Sequence, residues 1–381
     1  MDSLYFIMQK MTLFIGFFIP TKNKSMVFVS LSGRNFDDSP KAIYDEVCLR
    51  EEFNDWDLIW AFKEPDKITI PRGKKIKFGT IKYWITLLRT KVWIDNGGID
   101  LGLNINRKRN IVVRTWHGTP IKCAEEKNNP VLHKFRHYQK MDNRSIRCAQ
   151  NDLDIQAFTE YFQASAESFL KCGLPRNDPL LRYNEYDLMR IKDKIGIPPD
   201  KKVILYMPTF RDYVKNEGRQ LSEHPPIDIR KWEELFGKEY VFLFRGHYFF
   251  SKALRIVESD FVKNVSDYHP LSDLYAITDI MISDYSSAFC DFSVLCRPIR
   301  CYAYDFDEYN AERGLSIDLE KEMPCKISKT EDELIDSIIN INYAEDCKKT
   351  QKFKSKYMKY FKGCASSTVV DEIYNRWKRK L

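Results

Sequence analysis

The sequence predicts an α/β protein of two domains, each a doubly wound parallel sheet with helices on both faces. Three observations predict it. The chain has 381 residues, more than one hydrophobic core usually supports. Short runs that are apolar on both faces alternate with helix-length segments along the whole length. The stretch "LPRNDPLLRYNEYDLMRIKDKIGIPPDKK" (174–202) has the prolines and charges of a connection plus a short helix, which sets a domain boundary near residue 195. Two such sheets are expected to face each other across a cleft, with ligands bound beyond the carboxyl ends of the strands.

The first element is the apolar stretch "LYFIMQKMTLFIGFFIP" (4–20) within residues 1–25. It is shorter than the ~20 apolar residues of a spanning helix. Gln9 and Lys10 interrupt it, and no small-residue cleavage site follows it, so it is a poor signal peptide. It reads as a helix lying in a membrane interface, or as one docked on the core. Strands follow at "MVFVSLS" (26–32), "DLIWAF" (57–62), "KVWIDN" (91–96) and "IVVRTW" (111–116), giving a first domain over 26–195. The second domain, 196–365, carries "KVILYMPTF" (202–210), "YVFLFRG" (240–246), "FVKNVS" (261–266), "DIMISD" (279–284) and "IRCYAY" (299–304). In "CKKTQKFKSKYMKYFK" (347–362), lysines interleave with Phe353, Tyr357, Tyr360 and Phe361 on one helical face. That pattern suits an anionic membrane surface, or a helix packed on the core with a solvated lysine face. The chain closes on a helix over 366–381, with Val370, Ile373, Tyr374 and Trp377 at helical spacing, expected to dock across the domains.

With 44% hydrophobic residues, 25 Phe, 21 Tyr and 7 Trp, there is ample core, so disorder over most of the length is excluded. Lys+Arg 61 against Asp+Glu 54 gives a net charge of +7, which suits an anionic partner. No nucleic-acid-binding module is present, and a nucleic-acid partner is not expected. The ten cysteines form no CxxC pair, which fits reduced thiols better than a zinc site or a disulfide framework. The chain also has no P-loop, no GxGxxG and no GxSxG elbow. Asp152-Leu153-Asp154 and Asp305-Phe306-Asp307 have a spacing some metal sites use, but two aspartates one apart are common by chance, and no metal is expected.

Chemistry is therefore sought at strand ends. In "TWHGT", His117 follows a strand and Gly118 allows a tight turn; the imidazole is either a hydrogen-bonded structural group or a proton handler. In "YMPTFRD", Pro208 ends a strand and leaves Thr209 and Arg211 in the loop beyond it. The guanidinium fork suits a phosphate, or an ion pair with a nearby carboxylate. In "DIMISDYSSAFCDF", Ser286 and Ser287 stand at a helix start that either caps itself or receives an anion. "LFRGHY" places His247 at a further strand end.

Taken together, "SLSGRNFDDSPKAIYDEV" (30–47), "TWHGTPIK" (115–122), "GLPRNDPL" (173–180), "LYMPTFRD" (205–212), "FRGHY" (244–248), "SDYSSAFCDF" (283–292) and "YNAERGLSID" (309–318) resemble the CDP-glycerol glycerophosphotransferase family of teichoic acid and capsule polymer synthesis. The resemblance spans roughly residues 27–320 and is carried above all by "WHGTP" and "SDYSS".

The resemblance implies a GT-B architecture of two facing Rossmann-like domains. It implies metal-free transfer of glycerol phosphate from CDP-glycerol to a hydroxyl on a membrane-linked acceptor, with CMP released at the cytoplasmic face of a bacterial membrane. A CDP-ribitol donor or a nucleotide-sugar glycosyl transfer are the alternatives. It makes His117 and His247 catalytic, His117 as the base. It places Thr209, Arg211, Asp284, Ser286 and Ser287 around the donor's phosphates, and Gly118, Thr119 and Arg313 on the acceptor side.

Overall fold

The computed structural model describes residues 2–101, 103, 105, 107–123, 144–162, 164–209, 211, 226–246 and 258–379. These fall into two compact units. The first comprises Met1–His117, Asn129–Asp178 and Tyr360–Leu381; the second comprises Gly118–Asn128 and Pro179–Lys359.

In the first unit, helix α1 (Asp2–Phe18) precedes β1 (Lys22–Val29), α2 (Asp38–Leu49), β2 (Asp57–Phe62), β3 (Lys74–Lys77), α3 (Ile81–Arg89), β4 (Thr90–Asp95), β5 (Ile111–Arg114), β6 (Ile146–Ala149), α4 (Asp152–Phe162) and β7 (Phe169–Lys171). The strands form one parallel sheet in the order β3-β2-β1-β4-β5-β6-β7. Alternation along each strand feeds two cores, which is why these runs are apolar throughout. Met26, Phe28, Trp60 and Ile94 pack on one face with Ile43 and Val47 of α2 and with Val369, Val370 and Ile373 of the terminal helix Ala365–Lys378. Val27, Val29, Ile59 and Trp93 pack on the other with Leu87 and Leu88 of α3, joined by Leu13 and Ile19. The terminal helix, expected to dock across the domains, thus has its apolar stripe in the core of this one unit. Its start is fixed by the buried carboxylate of Asp178, which accepts from the N–H groups of Ala365 (3.0 Å) and Ser366 (2.7 Å).

Helix α1 meets the protein along a narrow stripe. Gly16 is buried, and Gln9, Thr12 and Leu13 are half-buried at the i, i+3, i+4, i+7 spacing of one face. Phe6, Ile7, Met8, Met11, Phe14, Ile15, Phe17 and Phe18 are exposed. It is therefore not a core helix. No helix among the described residues is long and apolar enough to cross a membrane.

The second unit contains α5 (Glu185–Ile195), β8 (Lys202–Met207), α6 (Ile229–Phe236), β9 (Tyr240–Phe244), β10 (Val262–Asn264), α7 (Leu271–Ile277), β11 (Ile280–Ser283), α8 (Ala288–Ser293), β12 (Ile299–Tyr302), α9 (Phe306–Glu312), α10 (Leu319–Glu322), β13 (Ile327–Ser328), α11 (Glu331–Ile339) and α12 (Tyr343–Tyr357). Its parallel sheet runs β10-β9-β8-β11-β12-β13. The chain changes units after Asp178 rather than near residue 195. Helix α5 belongs here, its entry held by the Tyr183 hydroxyl, which donates to Asp273 at 2.6 Å. In α12, Phe353 and Tyr357 are buried, Lys354 reaches the Val294 carbonyl (2.9 Å) and Lys356 pairs with Glu322 (2.6 Å). Of residues 347–362, the packed helix is observed only up to Tyr357; Tyr360 and Phe361, expected on the same helical face, lie beyond its end and belong to the first unit.

In both sheets the first strand of the unit is central and the fourth is added on its other side. The connections therefore reverse direction between β1 and β4 and between β8 and β11, the points where doubly wound sheets bind ligands beyond the carboxyl ends of their strands.

Candidate active site

At the β8/β11 reversal point of the second unit, Thr209 and Arg211 follow β8, while Asp284, Tyr285, Ser286 and Ser287 follow β11. Asp284 is fully buried. Its carboxylate accepts from the N–H groups of Thr209 (2.9 Å) and Tyr285 (2.7 Å) and from Arg211 Nη1 (2.8 Å). Arg211 also donates through Nη1 to the Thr209 carbonyl (2.6 Å), and through Nε (2.6 Å) and Nη2 (2.9 Å) to both oxygens of Asp305. The rings of Tyr285, Tyr304 and Tyr309 surround the guanidinium at 5.0–5.2 Å. Tyr285 stacks on Tyr309 with centroids 3.7 Å apart, and its hydroxyl donates to Asp305 at 2.8 Å. Burial opposes the charge on Arg211, but the two carboxylates more than offset it and raise its pKa further.

The phosphate-binding fork expected of Arg211 is thus directed at carboxylates. Four of its five N–H donors are taken within the cluster, so it braces the two loops. Asp284 is likewise occupied as an acceptor, and no described histidine is among its partners. The hydroxyl of Thr209 differs: Oγ1 is buried and has no hydrogen-bond partner among the described residues. Ser286 and Ser287 are half-buried. Ser286 Oγ accepts from the Ala288 N–H at 3.2 Å, whereas Ser287 makes no side-chain cap bond. Helix α8 has only six residues, so its dipole adds little and the local hydroxyl and N–H donors must supply any anion binding. An open depression lies at the ends of β12 and β13, lined by Tyr302, Tyr304, Lys329 and Thr330 among others. Tyr304 connects it to the Arg211 cluster. His247 lies outside the described residues.

In the first unit, His117 stands just beyond β5. Its Nδ1 lies 2.9 Å from the carbonyl oxygen of Asn96, the residue after β4. Trp116 before it adopts φ 61°, a left-handed conformation costly for a bulky residue, and stacks on the imidazole with centroids 4.3 Å apart. The turn after β4 is tied by buried Asp95, whose Oδ2 accepts from the N–H groups of Gly98 (2.6 Å) and Ile99 (2.9 Å). Asp38 is held by Arg176 Nη1 at 2.8 Å. "NFDDSP", "TWH" and "LPRND" therefore contribute to one unit, with the Asp38–Arg176 pair joining the first to the last. Gly118, at φ 137°, begins the segment that belongs to the second unit. There Thr119 is buried, Lys122 bridges antiparallel to Leu315, and Arg313 donates to the Cys123 carbonyl at 2.7 Å. The structure thus joins the acceptor-side candidates Thr119 and Arg313 through neighbouring backbone.

Sequence reasoning weighed Asp305 only as half of a metal-type spacing and missed its pairing with Arg211; it also missed the three tyrosines, Asn96 and the Asp38–Arg176 pair. Among the described residues no group of three or more His, Cys, Asp or Glu side chains could hold a metal ion. Of the two D-x-D spacings, Asp305 serves Arg211, and Asp154 accepts from the Gln150 N–H at 2.7 Å.

Two parallel sheets of this order, with chemistry-bearing side chains beyond their carboxyl edges, give the chain a GT-B-like fold. Residues 11–375 match the family described as CDP-Glycerol:Poly(glycerophosphate) glycerophosphotransferase, and the chain belongs to that family. It is 33% identical over 375 residues to a teichoic acid glycerol-phosphate transferase of Staphylococcus aureus, covering 93% of this chain and 94% of that one. It is 30% identical over 379 residues to a teichoic acid poly(glycerol phosphate) polymerase of Bacillus spizizenii, covering 93% of each. Of a Staphylococcus epidermidis polymerase, 31% identical, it spans only 52% of the length. The wall teichoic acid polymerase TagF superposes with TM-score 0.86 at 27% identity, covering 100% of this chain and 97% of that one. Relatives named for ribitol phosphate are 25–27% identical.

Proposed function

We propose that this protein transfers glycerol phosphate from CDP-glycerol to a hydroxyl of a membrane-linked teichoic acid or capsule acceptor, with His117 as base. The acceptor hydroxyl attacks the phosphorus next to glycerol, and its proton passes to His117 Nε2. The bond between that phosphorus and the bridging oxygen breaks, and CMP leaves with the electron pair. The observation that carries this reading is the contact between His117 and Asn96. A carbonyl oxygen only accepts, so Nδ1 bears the hydrogen and the lone pair of the neutral ring sits on Nε2.

The donor belongs to the second unit. Thr209 Oγ1, Ser286, Ser287 and His247 are the proposed partners of the diphosphate, and Arg211 positions the first three by locking Asp284 to Asp305. The open depression beside Tyr304 is the place proposed for the cytidine. Support for the donor comes from TagF itself, solved as a histidine-to-asparagine variant soaked with CDPG.

The protein works at the cytoplasmic membrane surface as a peripheral protein, through α1. Its eight exposed apolar side chains are 45–77% accessible, so each would gain roughly half or more of the ~1.5–3 kcal/mol of full burial, which favours an interfacial position for a helix of this length. Both a transferase and a polymerase of similar length are relatives, so length does not separate one addition from many.

Offering the protein CDP-glycerol, CDP-ribitol and UDP-sugars with a lipid-linked glycerol phosphate acceptor tests the donor. CMP release with CDP-glycerol far above the others supports the proposal, and preferential UDP release overturns it.

A further inference from the structure

We infer that Lys91 and Arg109, backed by Arg107, form a site for the phosphate of an anionic phospholipid headgroup at the foot of α1. This rests on the reading that α1 lies in a membrane interface.

Lys91 is the second residue of β4. Strand alternation puts it on the same face as Trp93, the face packed by α3, Leu13 and Ile19. It is 4% exposed, and among the described residues its ammonium has no hydrogen bond or ion pair. Burial, with the charge of Arg109 adding to it, holds Lys91 below the usual lysine range. Pairing of Val92 with Ile111 sets Lys91 beside Asn110, next to Arg109 in the chain.

Arg107 keeps its positive charge among neutral acceptors. It donates to the carbonyls of Gly16, Ile19 and Leu88, to Thr21 Oγ1 (3.2 Å) and to Asn110 Oδ1 (3.4 Å). Burial and the charge of Arg109 push its pKa down to about 10. Arg109 donates through Nη2 to Gly16 (2.9 Å) and Ile19 (2.7 Å), while its buried Nε has no partner among the described residues. The carboxylates at this edge of the sheet, Asp55 and Asp57, pair with Lys24, Lys22 and Lys74.

Capping of α1 and α3 explains Arg107 and Nη2 of Arg109, since cations suit helix C-termini. Among the described residues it leaves Arg109 Nε buried without a partner, and the Lys91 ammonium reaching solvent without a counter-charge. A phosphate is the proposed partner of these two cations. Gly16 lets the helix sit on these cations: a Cβ there would lie 3.0 Å from Leu88 Cδ2 and 3.5 Å from Arg107 Nη1. Exposed Phe14, Phe17 and Phe18 flank Gly16 within one turn. Acyl chains against those rings would bring a headgroup to the foot of the helix. Strand β4 sets this site about 15 Å from the His117 end of the same sheet, so it is distinct from the transferase site.

The test is co-sedimentation of the full chain with phosphatidylcholine vesicles and with vesicles doped with phosphatidylglycerol. The wild type should favour the doped vesicles. Lys91→Met should weaken doped-vesicle binding about fivefold, leave phosphatidylcholine binding unchanged and melt normally; Arg109→Gln, which also removes two bonds to α1, should weaken binding to both vesicle types, and to the doped ones more. Lys82→Gln, an exposed lysine of α3, should change doped-vesicle binding less than about twofold; an equal loss there would mean a diffuse field and overturn the site. Release of the protein from doped vesicles by inorganic phosphate at constant ionic strength would reassign the two cations to a free anion. Equal binding to both vesicle types with unaffected variants overturns the headgroup site alone. Binding to neither overturns the interfacial reading beneath it. If Lys91→Met melts early, Lys91→Gln at wild-type thermal stability decides.

Discussion

The Nδ1 atom of His117 lies 2.9 Å from the carbonyl oxygen of Asn96, and this contact determines which ring nitrogen is basic. The carbonyl is fixed because the Asp95 carboxylate ties the following turn and because Asn96 Oδ1 accepts from the Leu31 N–H at 2.8 Å. A base on Nε2 works only while the ring is neutral. The value of kcat/KM for CDP-glycerol should therefore fall on the acid side, about tenfold per pH unit below an imidazole pKa ordinarily near 6.5. A flat acid limb down to pH values well below that range would contradict this role.

Arg211 joins two loops through two carboxylates. Arg211→Met leaves Asp284 and Asp305 buried without their cation and should destabilise the protein by about 3–5 kcal/mol in urea unfolding. Adding Asp305→Asn to that variant should restore part of the loss, because it removes one uncompensated charge. An Arg211→Met protein with unchanged stability and only a raised KM would instead make Arg211 a direct phosphate ligand.

Thr209→Val tests the unpartnered hydroxyl. Removing a buried polar atom without a partner should cost no stability, whereas losing its bond to a charged donor should raise KM for CDP-glycerol about tenfold or more. Lowered stability with unchanged KM would place the hydroxyl in the fold rather than in the site.

Asp38 carries a pH dependence of its own. Burial raises its pKa, but the charge of Arg176 and the hydrogen bonds from Ser39, Arg176 and Asn96 outweigh it, leaving the carboxyl below its ordinary value. A depressed carboxylate adds stability above its unfolded pKa and loses it as pH falls through the folded value. Arg176→Met should therefore cost about 3 kcal/mol near neutral pH and progressively less in acid. A cost independent of pH would show that the pair is not its source.

Five strands of the second unit and four of the first overlap runs whose two-sided apolar pattern marks buried parallel strands; β1 begins four residues earlier, in "KNKS". The strands that escaped notice are short or charged. Lys74–Lys77 reads "KKIK" and Ile327–Ser328 has two residues; both are edge strands, stabilised by their neighbours rather than by their own pattern. At the candidate site, strand-end histidine, threonine and serines were legible because each sits beside a turn signal. The partner of Arg211 was not: Asp305 is 94 residues away and becomes its neighbour only through β11–β12 pairing. Asn96 acts on His117 through a backbone carbonyl, which leaves no trace in residue type.

The most direct measurement is CMP release from CDP-glycerol, with a lipid-linked acceptor, by wild-type protein and by His117→Ala of equal thermal stability. The wild type should turn over. The variant should be slower by at least about 10²-fold with little change in KM for CDP-glycerol. Wild-type turnover in His117→Ala would contradict the assignment of that imidazole as the base.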